Sequence, residues 1–479
     1  MMGLLVFILC VFLLIVGYVV YGRLVERVYG GDPDLEMPCV KNPDGVDYVP
    51  LPAWRVFLIQ LLNIAGLGPV VGAVSGCLFG PVALLWIVLG CILAGAMHDF
   101  LAALMSAERN GQNLPEQVGE NLGRVARCVM RFVCIFLLLM VGVVFTLLPA
   151  GMLQSIFGGT SVFIWGCVIL GYYFLATILP IQALIGRIYP IFGALFLFMA
   201  AGMAVMLPLS GYEVLPDLDM LTNVHPKGIS VWPMLFVTIA CGAISGFHAT
   251  QSPMMVRCLP QRCNMRRVFY GAMIVEGMVA LVWAVVGLSL RDVLLEGDQT
   301  MAQLTLANPS AAVYAACREL LGVQGGMLAV LGVVVLAVTS GDTAMRSCRL
   351  MLADVVHVSQ KSLLKRLALA IPLFGIVIII SQIDFSVIWR YFGWGNQLLS
   401  CFTLWSISVC LRKRTRLWLV SALPAVFMTC MCTCFLCHAP ECGLNLPLGV
   451  ATGLGMVLSV ICLLAFLCCI RPQTENGQE

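Results

Sequence analysis

Long apolar runs separated by short polar connections dominate the chain. At about 1.5 Å rise per helical residue, each run is long enough to cross a bilayer. Thirteen spans are expected, over residues 4–22, 54–77, 81–107, 127–150, 161–180, 188–208, 232–256, 268–290, 325–345, 367–382, 387–410, 416–436 and 446–470. Two of them are interrupted. The second contains NIAGLGPVVG (63–72), and the seventh contains CGAISGFHATQSPMM (241–255). Glycine, proline and polar residues at this density break a membrane helix, and freed backbone groups then need partners or a cavity.

Composition excludes a soluble domain. The chain of 479 residues is 61% hydrophobic and 11% charged, with a mean hydropathy of +1.00. An all-α polytopic membrane protein is the class that satisfies backbone polar groups in lipid at this composition. The first apolar run has no basic residue before it and no small-residue cleavage site, so a retained helix is expected. Most of the 22 cysteines lie inside apolar runs, as in CMCTCFLC (430–437), where cysteine acts as a small hydrophobe. Cys437 and Cys442 flank an outside loop and could pair in an oxidising compartment.

The charges orient the chain. Of the 27 Lys and Arg, 23 lie in connections after odd-numbered spans and 4 after even-numbered ones. Basic connections stay cytoplasmic, so the N-terminus is expected outside and the C-terminus inside.

The two interruptions are five spans apart, an offset that reverses orientation. Short helix-like segments recur at the same offset, NLPEQVGENLG (113–123) and NPSAAVYAACRELLG (308–322), on opposite sides of the membrane. A LeuT-like 5+5 inverted repeat with two broken helices is therefore expected. It divides the chain into an N-terminal helix and cytoplasmic loop (1–53), a first repeat (54–231), a second repeat (232–411), two C-terminal helices (412–470) and a cytoplasmic tail (471–479).

Matched breaks in inverted halves point to a substrate site at the midplane. Its expected residues are Asn63, Gly66, Gly68 and Pro69 in the first break. Ser245, His248, Thr250, Gln251 and Ser252 supply the second. The ninth span carries VTSGDTAMR (338–346), where Thr339 and Ser340 are candidates for a coupling-ion site, with Asp342, Thr343 and Arg346 for coupling or gating. Asp342 and Arg346 are spaced i,i+4 and are expected to pair. His98, Asp99, His248, Glu276 and Asp342 are the ionisable residues inside spans, each costly to bury and so a site candidate. No metal or organic cofactor is expected beyond Na⁺ or H⁺ as a coupling ion.

The segments NIAGLGPVVGAVSGCLFGPVALLWIVLGCILAGAMHDF (63–100) and SGFHATQSPMMVRCL (245–259) resemble those of the carbon starvation protein A family. So do VTSGDTAMRSCRLMLAD and WRYFGWGNQLL (389–399). The resemblance runs from about residue 4 to 410 and is to a short member. It implies an inner-membrane carrier, used when carbon is scarce, for peptides or for pyruvate with protons. The expected partners are that small-molecule substrate and membrane lipid, with no nucleic acid; the oligomeric state stays open. The competing classes are a membrane-embedded enzyme and a channel or sensor. No HExxH and no GxxxxGK[ST] is present, which disfavours a zinc peptidase and ATP drive within the chain.

Overall fold

A computed structural model describes residues 2–470 apart from 33, 180, 221, 296–297, 384, 416 and 440–442. The polar tail at 471–479 and the Cys442 half of the suggested disulfide lie outside the described residues. Every named element is helical. In chain order they are α1 (Met2–Tyr29), α2 (Ala53–Ala65), α3 (Gly68–Phe79), α4 (Val82–Glu108), α5 (Leu114–Leu122) and α6 (Arg124–Phe157). Next come α7 (Val162–Ile178), α8 (Ile181–Leu209), α9 (Val231–Thr238), α10 (Gly246–Val256), α11 (Arg262–Ser289) and α12 (Met301–Ala307). The last are α13 (Pro309–Val355), α14 (Leu363–Ile380), α15 (Phe385–Arg412), α16 (Leu419–His438) and α17 (Leu448–Cys469).

Among the described residues, nine helices are long and apolar enough to cross a membrane, and α2 with α3 makes a tenth as one span bent by 51°. The helix-like segments expected at 113–123 and 308–322 are both helical. The second is capped by Asn308, whose Oδ1 accepts from the backbone N–H of Ser310 and Ala311 at 3.1 and 3.3 Å. It runs into α13 with a change of direction at Gly322, the one residue there with non-helical backbone. Without that break, 47 residues of helix would be about 70 Å long, more than twice the hydrocarbon thickness.

The core is built around α13, which packs along α6 and α8, and around α10, which packs against α4, α15 and α2. The outermost helices present apolar side chains outwards: Leu5, Ile8 and Phe12 on α1, and Val457, Val460 and Ile461 on α17 are all exposed. In lipid such faces carry no hydrophobic penalty, so packing of small residues must hold the interior together.

Candidate functional site

The first break has a specific cause. Gly66 takes φ +29°, in the left-handed region that favours glycine, and α2 stops. The hydrogen bond that would continue the helix runs from the Gly66 N–H to the Leu62 carbonyl. Ser340 stands in its place: its Oγ accepts from Gly66 N–H at 3.1 Å and donates to Leu62 O at 2.9 Å. Thr339 adds a second hydroxyl to the same carbonyl at 3.4 Å. Pro69 then begins α3, where its missing N–H costs nothing.

The second break, between α9 and α10, is held by α15. Asn396 Oδ1 accepts from Ser245 Oγ at 3.0 Å and from the Phe247 N–H at 2.7 Å. Gln397 donates to Phe236 O at 3.0 Å, and the Trp86 indole donates to Ile239 O at 2.9 Å. The two breaks touch. A side-chain carbon at Gly68 would lie 2.4 Å from the Cys241 side chain, so only glycine admits the contact.

Four ionisable groups meet beside the second break, all at 0% exposure. His248 Nδ1 faces Asp99 Oδ2 at 2.9 Å, and His98 Nδ1 faces Asp99 Oδ1 at 2.8 Å. On its other side, His248 Nε2 lies 3.5 Å from Glu276 Oε2. The Cys241 thiol, the His248 ring and the Glu276 carboxyl lie within 4.8 Å of one another, near enough to hold one small cation.

The other predicted residues divide. Gln251 reaches across, accepting from Ser347 Oγ at 3.3 Å. Thr250 and Ser252 turn back to carbonyls of their own helix, Phe247 O and His248 O. Thr343 does the same with Thr339 O and Ser340 O. The expected Asp342–Arg346 pair is corrected. Asp342 accepts from Tyr172 and Tyr189 at 2.7 and 2.8 Å, while Arg346 points away to Asp47 at 3.0 Å. Two tyrosines from α7 and α8 occupy the carboxylate, and one helical turn carries Arg346 to the loop between α1 and α2. Burial acts to raise the Asp47 carboxyl. Arg346 and Arg349, with Arg257 behind them, outweigh that and hold it below its ordinary range.

Sequence reasoning missed Gln60, Asn396 and Asp47. Gln60 and Asn63 are fully buried on α2, and neither amide has a hydrogen-bond partner among the described residues. Their i,i+3 spacing was the available signal. Asn396 stands in the WRYFGWGNQLL segment, as a buried amide within a span. Asp47, far from any span, carried none. A cavity of about 630 Å³ lies elsewhere. It is an apolar groove lined by Leu85, Leu89, Phe236, Leu423 and Phe427, with several exposed leucines, and has the chemistry of a lipid-facing surface.

The sequence matches the profile of the carbon starvation protein CstA family over residues 2–165, 154–316 and 297–435. The chain belongs to this family. Within the CstA family it is 26% identical to the peptide transporter CstA of Escherichia coli, over 88% of this chain and 79% of that protein. It is 28% identical to the pyruvate/proton symporter BtsT of Escherichia coli, over 54% of this chain and 45% of BtsT. An uncharacterised membrane protein of Haemophilus influenzae is 40% identical, over 60% of this chain and 91% of its own length. Among solved structures, this CstA-family chain aligns with Mhp1, a nucleobase-cation-symport-1 family transporter, at a TM-score of 0.55 and 12% identity. That alignment covers 91% of this chain and 97% of Mhp1. A manganese transporter of Eremococcus coleocola aligns at 0.53 and 14% identity, over 90% and 97%. At such identities the likeness concerns the fold, that of LeuT-like transporters.

Proposed function

We propose that this protein is a secondary active transporter of the cytoplasmic membrane. It takes up peptides or small carboxylates such as pyruvate by alternating access, coupled to H⁺ or Na⁺. The reading includes thirteen crossings, with the N-terminus outside and residues 54–231 and 232–411 as inverted repeats. The observation that carries it is the contact between two interrupted helices, Gly68 against Cys241, beside the unpartnered amides of Gln60 and Asn63. A buried amide without a partner costs about 1–3 kcal/mol, and a bound polar solute would repay it. The enclosed side chains at both breaks fit a carrier closed to both sides, and the names of the CstA-family relatives supply the substrate classes.

Asn63, Gly66, Gly68, Pro69, Ser245, His248 and Gln251 are assigned to substrate, and Thr339 and Ser340 to the state of the first break. Purified protein in liposomes, with labelled pyruvate or labelled dialanine inside an imposed H⁺ or Na⁺ gradient, tests the reading. Accumulation of either solute against its gradient is expected. If neither solute accumulates under either ion gradient, the transporter assignment fails for these substrate classes.

A further inference from the structure

A buried set of side chains beside the second break has the composition and geometry of a metal centre. We propose that Cys241 Sγ, His248 Nε2 and one oxygen of Glu276 bind a single Zn²⁺, held by the chain as a resident ion rather than carried as solute. The site needs no solute to move, so it stands or falls apart from the transport reading.

The atoms left over by the hydrogen bonds point to it. Both oxygens of Glu276 and the Nε2 of His248 lack a hydrogen-bond partner among the described residues, although both side chains are 0% exposed. These orphans converge. Nε2 and Oε2 are 3.5 Å apart, and with the Cys241 sulfur all three atoms lie within 4.8 Å of one another. Cys241 is itself buried. The 3.5 Å separation is long for an N–H···O bond. It is close to the edge, about 3.4 Å, of a tetrahedron built on zinc bonds of about 2.0–2.2 Å to nitrogen and oxygen. One ion satisfies the three atoms together.

Asp99 sets the histidine for this role. Its carboxylate can only accept, so the His248 Nδ1 that faces Oδ2 at 2.9 Å carries the hydrogen. In the neutral ring the lone pair is then on Nε2, toward Glu276. His98 Nδ1 holds the other Asp99 oxygen at 2.8 Å. A carboxylate behind a ligating imidazole fixes its tautomer and raises its basicity. Asn396 Nδ2 lies 3.8 Å from the Cys241 sulfur and donates toward it, a contact that favours the thiolate.

Close packing brings in the third ligand. A side-chain carbon at Gly242 would lie 2.4 Å from Ala280 Cβ, and one at Gly277 would lie 3.7 Å from the Gly242 carbonyl. Small residues thus let α11 approach the interrupted segment, and Glu276 comes with it. The nearby thiol of Cys91 is committed elsewhere, donating to Met273 O at 3.4 Å. The ligands are 7 and 28 residues apart in the chain, a spacing that matches no zinc motif.

Charge and softness choose the ion. A thiolate and a carboxylate cancel its two charges, which matters in an interior where net charge is costly. The thiolate disfavours Mg²⁺, Ca²⁺ and Mn²⁺, the carboxylate disfavours Cu⁺, and zinc accepts all three ligands. On binding, the Cys241 proton leaves to solvent. His248, assigned above to substrate, then meets solute through the fourth position of the ion, which water fills otherwise. The ion ties the interrupted segment to α10 and α11, beside the contact of Cys241 with Gly68.

The test uses the full chain, expressed in cells supplied with zinc or cobalt, purified in detergent and washed with EDTA to strip surface ions. One Zn²⁺ per chain is expected by elemental analysis, and the cobalt protein is expected to show a near-ultraviolet thiolate-to-cobalt band. C241S, H248A and E276Q each lose the ion in the same wash, and C91S keeps it. D99N, which alters a positioning residue, keeps the band but binds zinc about 10- to 100-fold more weakly in competition with a chelator. A parent protein that holds no zinc, even after incubation with excess Zn²⁺, overturns the proposal. So does zinc retained equally by C241S and E276Q, which places it on other side chains. Should the variants not fold, X-ray absorption by the zinc-loaded parent protein decides. One sulfur at about 2.3 Å and three nitrogen or oxygen neighbours at about 2.0–2.2 Å are expected. A shell of sulfur alone, or one without sulfur, overturns the assignment. Solute uptake is scored separately in liposomes; its absence overturns the transporter reading and leaves the zinc result standing.

Discussion

Ser340 stands where a helix hydrogen bond between Leu62 and Gly66 would otherwise be, and this single hydroxyl keeps the first break open. Replacing it with alanine leaves the buried Gly66 N–H unpaired and leaves the Leu62 carbonyl only the longer bond from Thr339. S340A is expected to lower stability by about 1–3 kcal/mol and to cut solute uptake. Thr339 reaches the same carbonyl more weakly, so T339A is expected to be milder. Thermal unfolding in detergent, scored beside uptake, checks the order; equal effects would show that Ser340 has no special place. Asn396 does the corresponding work at the second break, accepting from Ser245 and Phe247. N396A is expected to cost a similar amount and to disturb transport more than N396A-sized changes elsewhere on α15. At this scale glycine and proline announced both breaks in the sequence. The hydroxyls at 339 and 340 were legible from their place on the ninth span. Gln60 and Asn396 were not, because a buried amide reveals its role only through what does or does not face it.

The loop between α1 and α2 acts as an element in its own right. Asp47 is almost fully buried and binds Arg346 at 3.0 Å, with Arg349 at 3.7 Å. Leu51 N–H is bonded to Cys258 O at 2.9 Å, and Arg257 lies over the Tyr48 ring. The loop thereby ties α13 to the C-terminal end of α10. Removing one partner of a buried ion pair costs about 3–5 kcal/mol, because the other charge stays buried. D47N is therefore expected to loosen this end and to raise the labelling rate of the buried Cys258 by on the order of 100-fold, the lower end of that range. Unchanged labelling in inside-out vesicles would remove the loop as a latch. The pH dependence has a defined sign. The Asp47 carboxyl is held below its usual value of 3.8, so its stabilisation is complete above that value. It is lost as pH falls through the lower folded value. Measured relative to a free thiol in the same buffer, which follows the fall in thiolate with pH, Cys258 labelling should stay flat from neutral pH to about 5 and rise only below about 4. The i,i+4 spacing of Asp342 and Arg346 predicted a different pair. It failed because sequence spacing shows which residues can meet along one helix, not which competitors arrive from others.

For the whole molecule, the distribution of Lys and Arg predicts an orientation that can be measured. With the N-terminus outside, the connection after α10 is cytoplasmic, and it carries the exposed free thiol of Cys263. A membrane-impermeant maleimide is expected to leave Cys263 untouched in right-side-out spheroplasts and to modify it after permeabilisation, with C263S as the control. Modification from outside would invert the topology. The sequence by itself determined the membrane class, the helical architecture, the position of both breaks and the family, because hydropathy, helix-breaking residues and run length act locally along the chain. Only the tertiary structure decided that the breaks touch at Gly68 and Cys241. It also turned Asp342 to two tyrosines and Arg346 to a distant loop, and it left Glu276 beside His248 without a hydrogen-bond donor among the described residues. Those are contacts between helices far apart in the chain. Within lipid they are settled by close packing and by competition among buried polar groups for the few partners in reach.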